Sequence, residues 1–206
     1  IDFAQKNDIH FIDTAMNYGS SEELIGKLCN KSWDIITKIP KFPDNISNVS
    51  SWFESRILRS LEKLNRKKIN TLLIHEPNDL KNTIYGKDLI SLIIDLKSEG
   101  VIKNIGISIY DALLIEEYLD LIDVDIIQAP LNIFDRRIID SGWAKKLNES
   151  GIEVHARSIF LQGLLLMKDL DRPKYFQRWN HIWDSWRTFL NDNHISAIDV
   201  CVYYVN

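Results

Sequence analysis

Apolar residues along this chain follow two alternating rhythms. Short, nearly unbroken runs rich in Ile, Leu and Val recur at Ile9–Asp13, Asp34–Lys38, Thr71–Ile74, Val101–Ser108, Asp125–Gln128 and Ile152–Ala156. Between them the spacing lengthens. Phe53, Ile57, Leu61 and Leu64 stand four, four and three residues apart, the period of a helix with one buried face. Helices are expected as a tail over Ile1–Lys6, from Ser20 toward Leu28, from Ser51, and over Leu89–Leu96, Ala112–Leu121, Arg136–Asn148 and Ser196–Val205. Ser20-x-x-Glu23 predicts a capping box, in which the Ser oxygen accepts from an early backbone N–H and Glu23 reaches back. Ser51-x-x-Glu54 predicts a second helix start. Gly100 and Gly151 each stand between a helix and the next strand, where a left-handed residue closes a helix. Asn7-Asp8 is a polar substitute before Ile9.

Strands that are apolar throughout, rather than at every second residue, suit a parallel sheet buried on both faces. Alternation of such strands with helices permits a doubly wound sheet or a (β/α) barrel. Neither GxGxxG nor GxxxxGK[ST] occurs in the chain, which removes the dinucleotide fingerprint and the P-loop. Polar residues instead gather at the carboxyl ends of the runs: Asp13, Lys38, His75, Ser108, Gln128, Arg157 and Ser158. A ring of this kind favours the barrel, whose sites lie on that face. The expected fold is therefore α/β, a TIM (β/α)8 barrel incomplete in this chain, as one domain over residues 1–206. Eight strands usually take about 250 residues, so one strand is expected before Ile1 and one after Asn206. Phe160–Leu165 reads as an apolar loop, residues 168–174 as a charged segment. Trp179, Trp183 and Trp186 recur at helical spacing, which predicts interhelix packing before a substrate wall.

Composition alters little. The chain has 206 residues, 45% hydrophobic and 26% charged, with a formal net charge of -4. No basic patch marks it as a nucleic-acid binder. Cys29 and Cys201 fit no metal spacing and no disulfide framework. No apolar run reaches the roughly 18 residues of a membrane span, and no signal-peptide pattern leads the chain. A reducing cytoplasm is the expected compartment.

Four polar residues make chemical sense together. A tyrosine has an ordinary pKa near 10 and gives up its proton poorly at neutrality. An ammonium such as Lys38 within about 4–6 Å would favour the phenolate and lower that value. Asp13 would hold the lysine charged and oriented, and His75 would hydrogen-bond a carbonyl oxygen. The set suits reduction of a carbonyl, with the proton from Tyr18. Taken singly, each residue has a plainer reading: Asp13 as a turn or cap residue, Tyr18 as a packed loop aromatic, Lys38 as a solvated strand end, His75 as a structural histidine or metal ligand. A zinc hydrolase barrel competes. However, no His-x-His follows a strand, and His10, three residues before Asp13, falls on the opposite face of its strand.

Phe11-Ile12-Asp13-Thr14-Ala15-x-x-Tyr18-Gly19-x-Ser21-Glu22-x-x-Ile25-Gly26 closely resembles the first signature of the aldo-keto reductase superfamily. Ile36-Thr37-Lys38, Leu72-Leu73-Ile74-His75, Ile105-Gly106-Ile107-Ser108, Asp125-Ile126-Ile127-Gln128-Ala129-Pro130-x-Asn132 and Ser158-Ile159-Phe160-x-Gln162-Gly163-Leu164-Leu165 match its later motifs in order. The resemblance implies a (β/α)8 barrel that binds NADPH, or NADH, and interconverts a small carbonyl compound and its alcohol. By position it makes Tyr18 the acid, Lys38 and Asp13 its tuning pair, and His75 the carbonyl orienter. It places Ser108 and Gln128 on the nicotinamide carboxamide, and Ser158, Gln162 and Gly163 in the loop along the cofactor phosphates. Three departures stand out. Ile109 replaces an Asn common in the family, Arg157 stands where many members put an aromatic ring against the nicotinamide, and the family's last strand would lie beyond Asn206. A non-catalytic cofactor-binding module on the same fold is the alternative.

Overall fold

The computed structural model describes residues 1–43 and 46–206. Helix α1 (Asp2–Gln5) leads into β1 (Phe11–Asp13), α2 (Ser21–Leu28), β2 (Asp34–Ile39), α3 (Val49–Lys63), β3 (Ile69–Ile74), α4 (Gly86–Ser98) and β4 (Ile102–Ser108). There follow α5 (Ile115–Leu119), β5 (Ile126–Pro130), α6 (Arg137–Asp140), α7 (Trp143–Glu149), β6 (Glu153–Arg157), α8 (Asn180–Asp192) and α9 (Ala197–Val205). Among the described residues six strands form one sheet, all parallel and in sequence order. In a flat sheet β1 and β5, four strands apart, would be separated by roughly 19 Å at the usual strand spacing. Here the Gln128 side-chain amide on β5 donates to Asp13 of β1 at 3.0 Å. The sheet is therefore curled into a barrel wall.

Register decides which residues enter that barrel. Asp13 pairs with Ile36, Lys38 with Leu73, Leu73 with Gly106, Gly106 with Ile126, Ser108 with Gln128, and Pro130 with Arg157. Paired residues and alternate residues share a face, so all of these point inward. Ile36, Leu73 and Ile126 close together as a small inner core. Gly106 makes that closure possible, because a Cβ there would lie 2.4 Å from Leu73 Cδ2 and 2.7 Å from the Ile126 carbonyl oxygen. The other face of the strands (Ile35, Ile39, Leu72, Ile74, Ile105, Ile107, Ile127) packs against Phe53, Ile57, Leu89, Ile93 and Leu147 of the helices. Each fully buried side chain of this size contributes about 1.5–3 kcal/mol.

Several local expectations shift. The capping box at Ser20 does not form: Ser20 makes no side-chain cap bond, and Glu23 instead accepts from Lys27 at 2.6 Å. Helix α3 starts earlier than Ser51, because the Asn48 side chain accepts from the Ser51 N–H and caps it. The helix expected over Arg136–Asn148 is two helices broken at Gly142, whose φ is +79°. Ala112–Leu114 is a 3-10 turn ahead of α5. Strand β1 is limited to Phe11–Asp13, and β3 begins at Ile69. Helix α9 starts as expected, with Ser196 accepting from the Asp199 N–H.

Two buried carboxylates tie the layers. Glu22 accepts from Thr37 Oγ1 at 2.8 Å and Ser60 Oγ at 2.5 Å, joining α2 to β2 and α3. Asp79 accepts from the Phe42 N–H and the Tyr85 hydroxyl, both at 2.9 Å, where the Phe42, Trp52 and Tyr85 rings pack together. It fastens the loop after Lys38 to the loop after His75, and burial pushes its carboxyl above the usual range. Asp79→Ala removes the acceptor of the buried Phe42 N–H and should cost about 1–3 kcal/mol. Urea unfolding of the variant checks this; an unchanged midpoint would refute it.

Candidate active site

Asp13 ends β1, Lys38 is next to last in β2, His75 follows β3, Ser108 ends β4, Gln128 lies in β5 and Arg157 ends β6. The loop from β1 to α2 brings Tyr18 over them. Lys38 is 2% exposed, and its ammonium donates to both Asp13 oxygens at 2.7 and 2.6 Å and to the Thr14 carbonyl at 2.8 Å. All three of its N–H bonds are used. The same ammonium lies 5.5 Å from the Tyr18 ring centroid, and the Tyr18 and His75 rings meet edge to face at 6.0 Å. The four residues read as chemical partners in the sequence thus converge at one spot.

The electrostatics differ from the simplest expectation. Burial, then the Asp13 carboxylate, then Tyr110 push the Tyr18 hydroxyl above its ordinary value, and Arg157 opposes them. Burial and the Asp13 carboxylate therefore outweigh the pull of the nearby cation Arg157. Burial lowers Lys38 itself, against the pull of Asp13. Burial also lowers His75, helped by Lys38 and Arg157 and opposed by Asp13 and Glu76. His75 is therefore neutral at pH 7.

That shift carries a stability signature. Between the lowered folded value and the ordinary value near 6.5, the unfolded chain binds more protons than the folded one, so stability rises with pH across this window. Below it the penalty is complete. Wild-type stability should fall more steeply than that of His75→Gln as pH drops from 7.5 to about 5. Urea titrations at a series of pH values would show it; parallel curves would remove His75 as the cause.

Of the remaining residues singled out in the sequence, Ser108 and Gln128 face each other in register, with Ser108 Oγ 3.5 Å from Gln128 Oε1. The bond from Gln128 to Asp13 extends the row to the tuning pair. Arg157 donates to the Ile109 carbonyl at 2.9 Å and lies on the Tyr110 ring at 4.1 Å. Ser158, Leu161, Gln162 and Gly163 all have positive φ, a conformation costing of order 1 kcal/mol at each non-glycine residue. Clustered strain of this sort is characteristic of ligand clamps. The loop is held from both sides: Asn132 donates to the Ser158 carbonyl, and Trp186 to the Leu165 carbonyl, both at 3.1 Å. Trp183 and Trp186 pack with Leu164, Leu165, Val200 and Cys201, so the tryptophan stripe is interhelix packing, as its spacing predicts, and it braces this loop.

Three contributors were given no role in the sequence reading, although Thr14 and Asn132 stand in its motifs. The Thr14 carbonyl has no sequence signal. Asn132 had one, as a polar residue just past a strand, and Tyr110 stands next to the polar end of β4. Among the described residues, no three His, Cys, Asp or Glu side chains group as a metal site. No helix there is long and apolar enough to cross a membrane.

Comparison with known proteins agrees with this fold. The model of the Aldo/keto reductase family matches residues 1–206. An uncharacterized oxidoreductase, YqkF, of Bacillus subtilis (strain 168) is 31% identical over 191 residues, covering 87% of this chain and 61% of that protein. The NADH-specific methylglyoxal reductase of Escherichia coli (strain K12) is 27% identical over 220 residues, covering 96% and 65%. Among solved structures, the glycerol dehydrogenase AKR11B4 from Gluconobacter oxydans superposes with a TM-score of 0.75 at 25% identity, covering 98% of this chain and 70% of that one. The chain spans less than two thirds of the length of the two curated relatives.

Proposed function

The chain belongs to the aldo/keto reductase family, and from that premise we propose that it carries the proton-transfer half of an NAD(P)H-dependent oxidoreductase that interconverts a small aldehyde or ketone and its alcohol. The observation that carries this reading is the convergence of Tyr18, Lys38, Asp13 and His75 on one inward face.

Features of the chain fit a nicotinamide cofactor. Ser108 and Gln128 place a hydroxyl beside an amide, complementary to a carboxamide. Arg157 Nε is buried without a hydrogen-bond partner. A Cβ added at Gly163 would meet nothing within 4 Å, so the strained loop leaves room for a ligand's close approach. Ser108 and Gln128 would hold the carboxamide, Arg157 the nicotinamide ring, and Ser158, Gln162 and Gly163 the phosphates. The bound cofactor supplies hydride to the carbonyl carbon.

The protein's own residues manage the proton. Neutral His75 hydrogen-bonds the carbonyl oxygen and polarises it, and the Tyr18 hydroxyl gives that oxygen its proton. The Lys38 ammonium, fixed by Asp13 and Thr14, stabilises the phenolate left behind. Tyr18 is half-exposed, so water can return the proton. Titrating the protein with NADPH and NADH by fluorescence, then mixing the complex with a panel of aldehydes, tests the reading. Nucleotide binding followed by nucleotide oxidation is expected. Binding without turnover would move the protein to a cofactor-sensing role, and no binding would end the proposal.

A further inference from the structure

Among the described residues, Arg157 is a fixed cation that forms no ion pair. Its register with Pro130 turns it inward, onto the face that carries Gln128, Lys38 and Asp13. One guanidinium nitrogen donates to the Ile109 carbonyl at 2.9 Å, another stands 3.5 Å from Ser158 Oγ, and the group rests on the Tyr110 ring. None of these contacts neutralises it. Asp135, a carboxylate within reach of its field, is engaged by Arg137 at 2.8 Å. Lys38 is matched by Asp13 and His75 is neutral, so among the described residues of the inward face Arg157 is left as an uncompensated positive charge. The pull of that charge on Tyr18, Lys38 and His75 alike places the site inside its field.

A nicotinamide ring is neutral when reduced and cationic when oxidised, whereas the rest of the cofactor is the same in both states. An aromatic ring at this position would attract the cationic form through its face; a guanidinium repels it. We propose that Arg157 discriminates between the oxidation states of the cofactor, weakening the oxidised form relative to the reduced one and hastening its release after reduction of the carbonyl. This rests on the cofactor assignment above.

The test is the ratio of the two dissociation constants, oxidised over reduced, measured by tryptophan quenching or calorimetry with no carbonyl present. Arg157→Gln should lower that ratio about tenfold, the size expected for one unit charge acting across a solvent-exposed site, and Arg157→Lys should largely keep it. In the wild type, which needs no variant to fold, the ratio should fall as salt is raised, because the phosphates contribute equally to both states and cancel. A ratio unmoved by Arg157→Gln or by salt, with both forms still bound, would overturn this inference and leave the cofactor assignment standing. Failure to bind either form would overturn both.

Discussion

Tyr18→Phe should lower the turnover number for carbonyl reduction about a thousandfold, within the span of a positioned general acid, and leave the dissociation constant of the reduced nucleotide within about twofold. The substitution removes one oxygen and keeps the ring that meets His75 edge to face. An interaction made only while the carbonyl oxygen gains its proton depresses the turnover number and not nucleotide binding. The wild-type profile should stay flat through neutrality and fall only at alkaline pH, because burial and Asp13 hold the Tyr18 hydroxyl above its ordinary value of 10.0. The variant should lack that limb. Pre-steady-state nucleotide oxidation between pH 6 and 11 measures both effects. Equal losses in turnover and in nucleotide affinity would make Tyr18 a structural residue.

The Lys38–Asp13 pair should respond asymmetrically to substitution. Lys38 is 2% exposed, while the Asp13 side chain is 44% exposed. Removing Asp13 leaves a buried ammonium without its countercharge. Asp13→Ala should therefore destabilise the fold by about 1–3 kcal/mol, below the cost of breaking a fully buried pair because Asp13 is partly solvated. Lys38→Met instead leaves a carboxylate that water can reach and fills the cavity with an apolar chain of similar length. Its stability should stay within about 1 kcal/mol of wild type, while turnover falls by about a hundredfold or more as the phenolate loses its cation. Urea unfolding and single-turnover kinetics on the two variants separate the effects. Equal loss of stability in both would remove the asymmetry.

The ring of polar residues was legible in the sequence because strands buried on both faces are uniformly apolar, and a polar residue at the end of each strand interrupts that uniformity. Asp13, Lys38, His75 and Ser108 could each be placed at the same end of a βα unit from this alone. Contacts across the barrel could not. Gln128 and Asp13 are 115 residues apart, and only closure of the sheet shows that an amide assigned to the cofactor also touches the tuning pair. The sign of the Tyr18 shift was likewise hidden, because it depends first on how deeply the ring is buried and then on how near the Asp13 carboxylate lies. Ser20 was misleading for a local reason: its backbone, at φ −91° and ψ 8°, does not present the side chain to the helix start, and Glu23 has a nearer partner in Lys27.

The saturation of Lys38 has a chemical consequence for the durability of the protein. Aldehydes condense with free amines, and under the proposed activity a lysine at this site would be exposed to its own substrate. Here the nitrogen has three acceptors for its three protons, and almost none of its surface is open. While the ammonium stands it has no lone pair to offer, so the residue proposed to steady the acid would also be protected from forming an imine. Under the proposed function the same carboxylate would then work as a protecting group, and one polar contact would serve both turnover and resistance to inactivation.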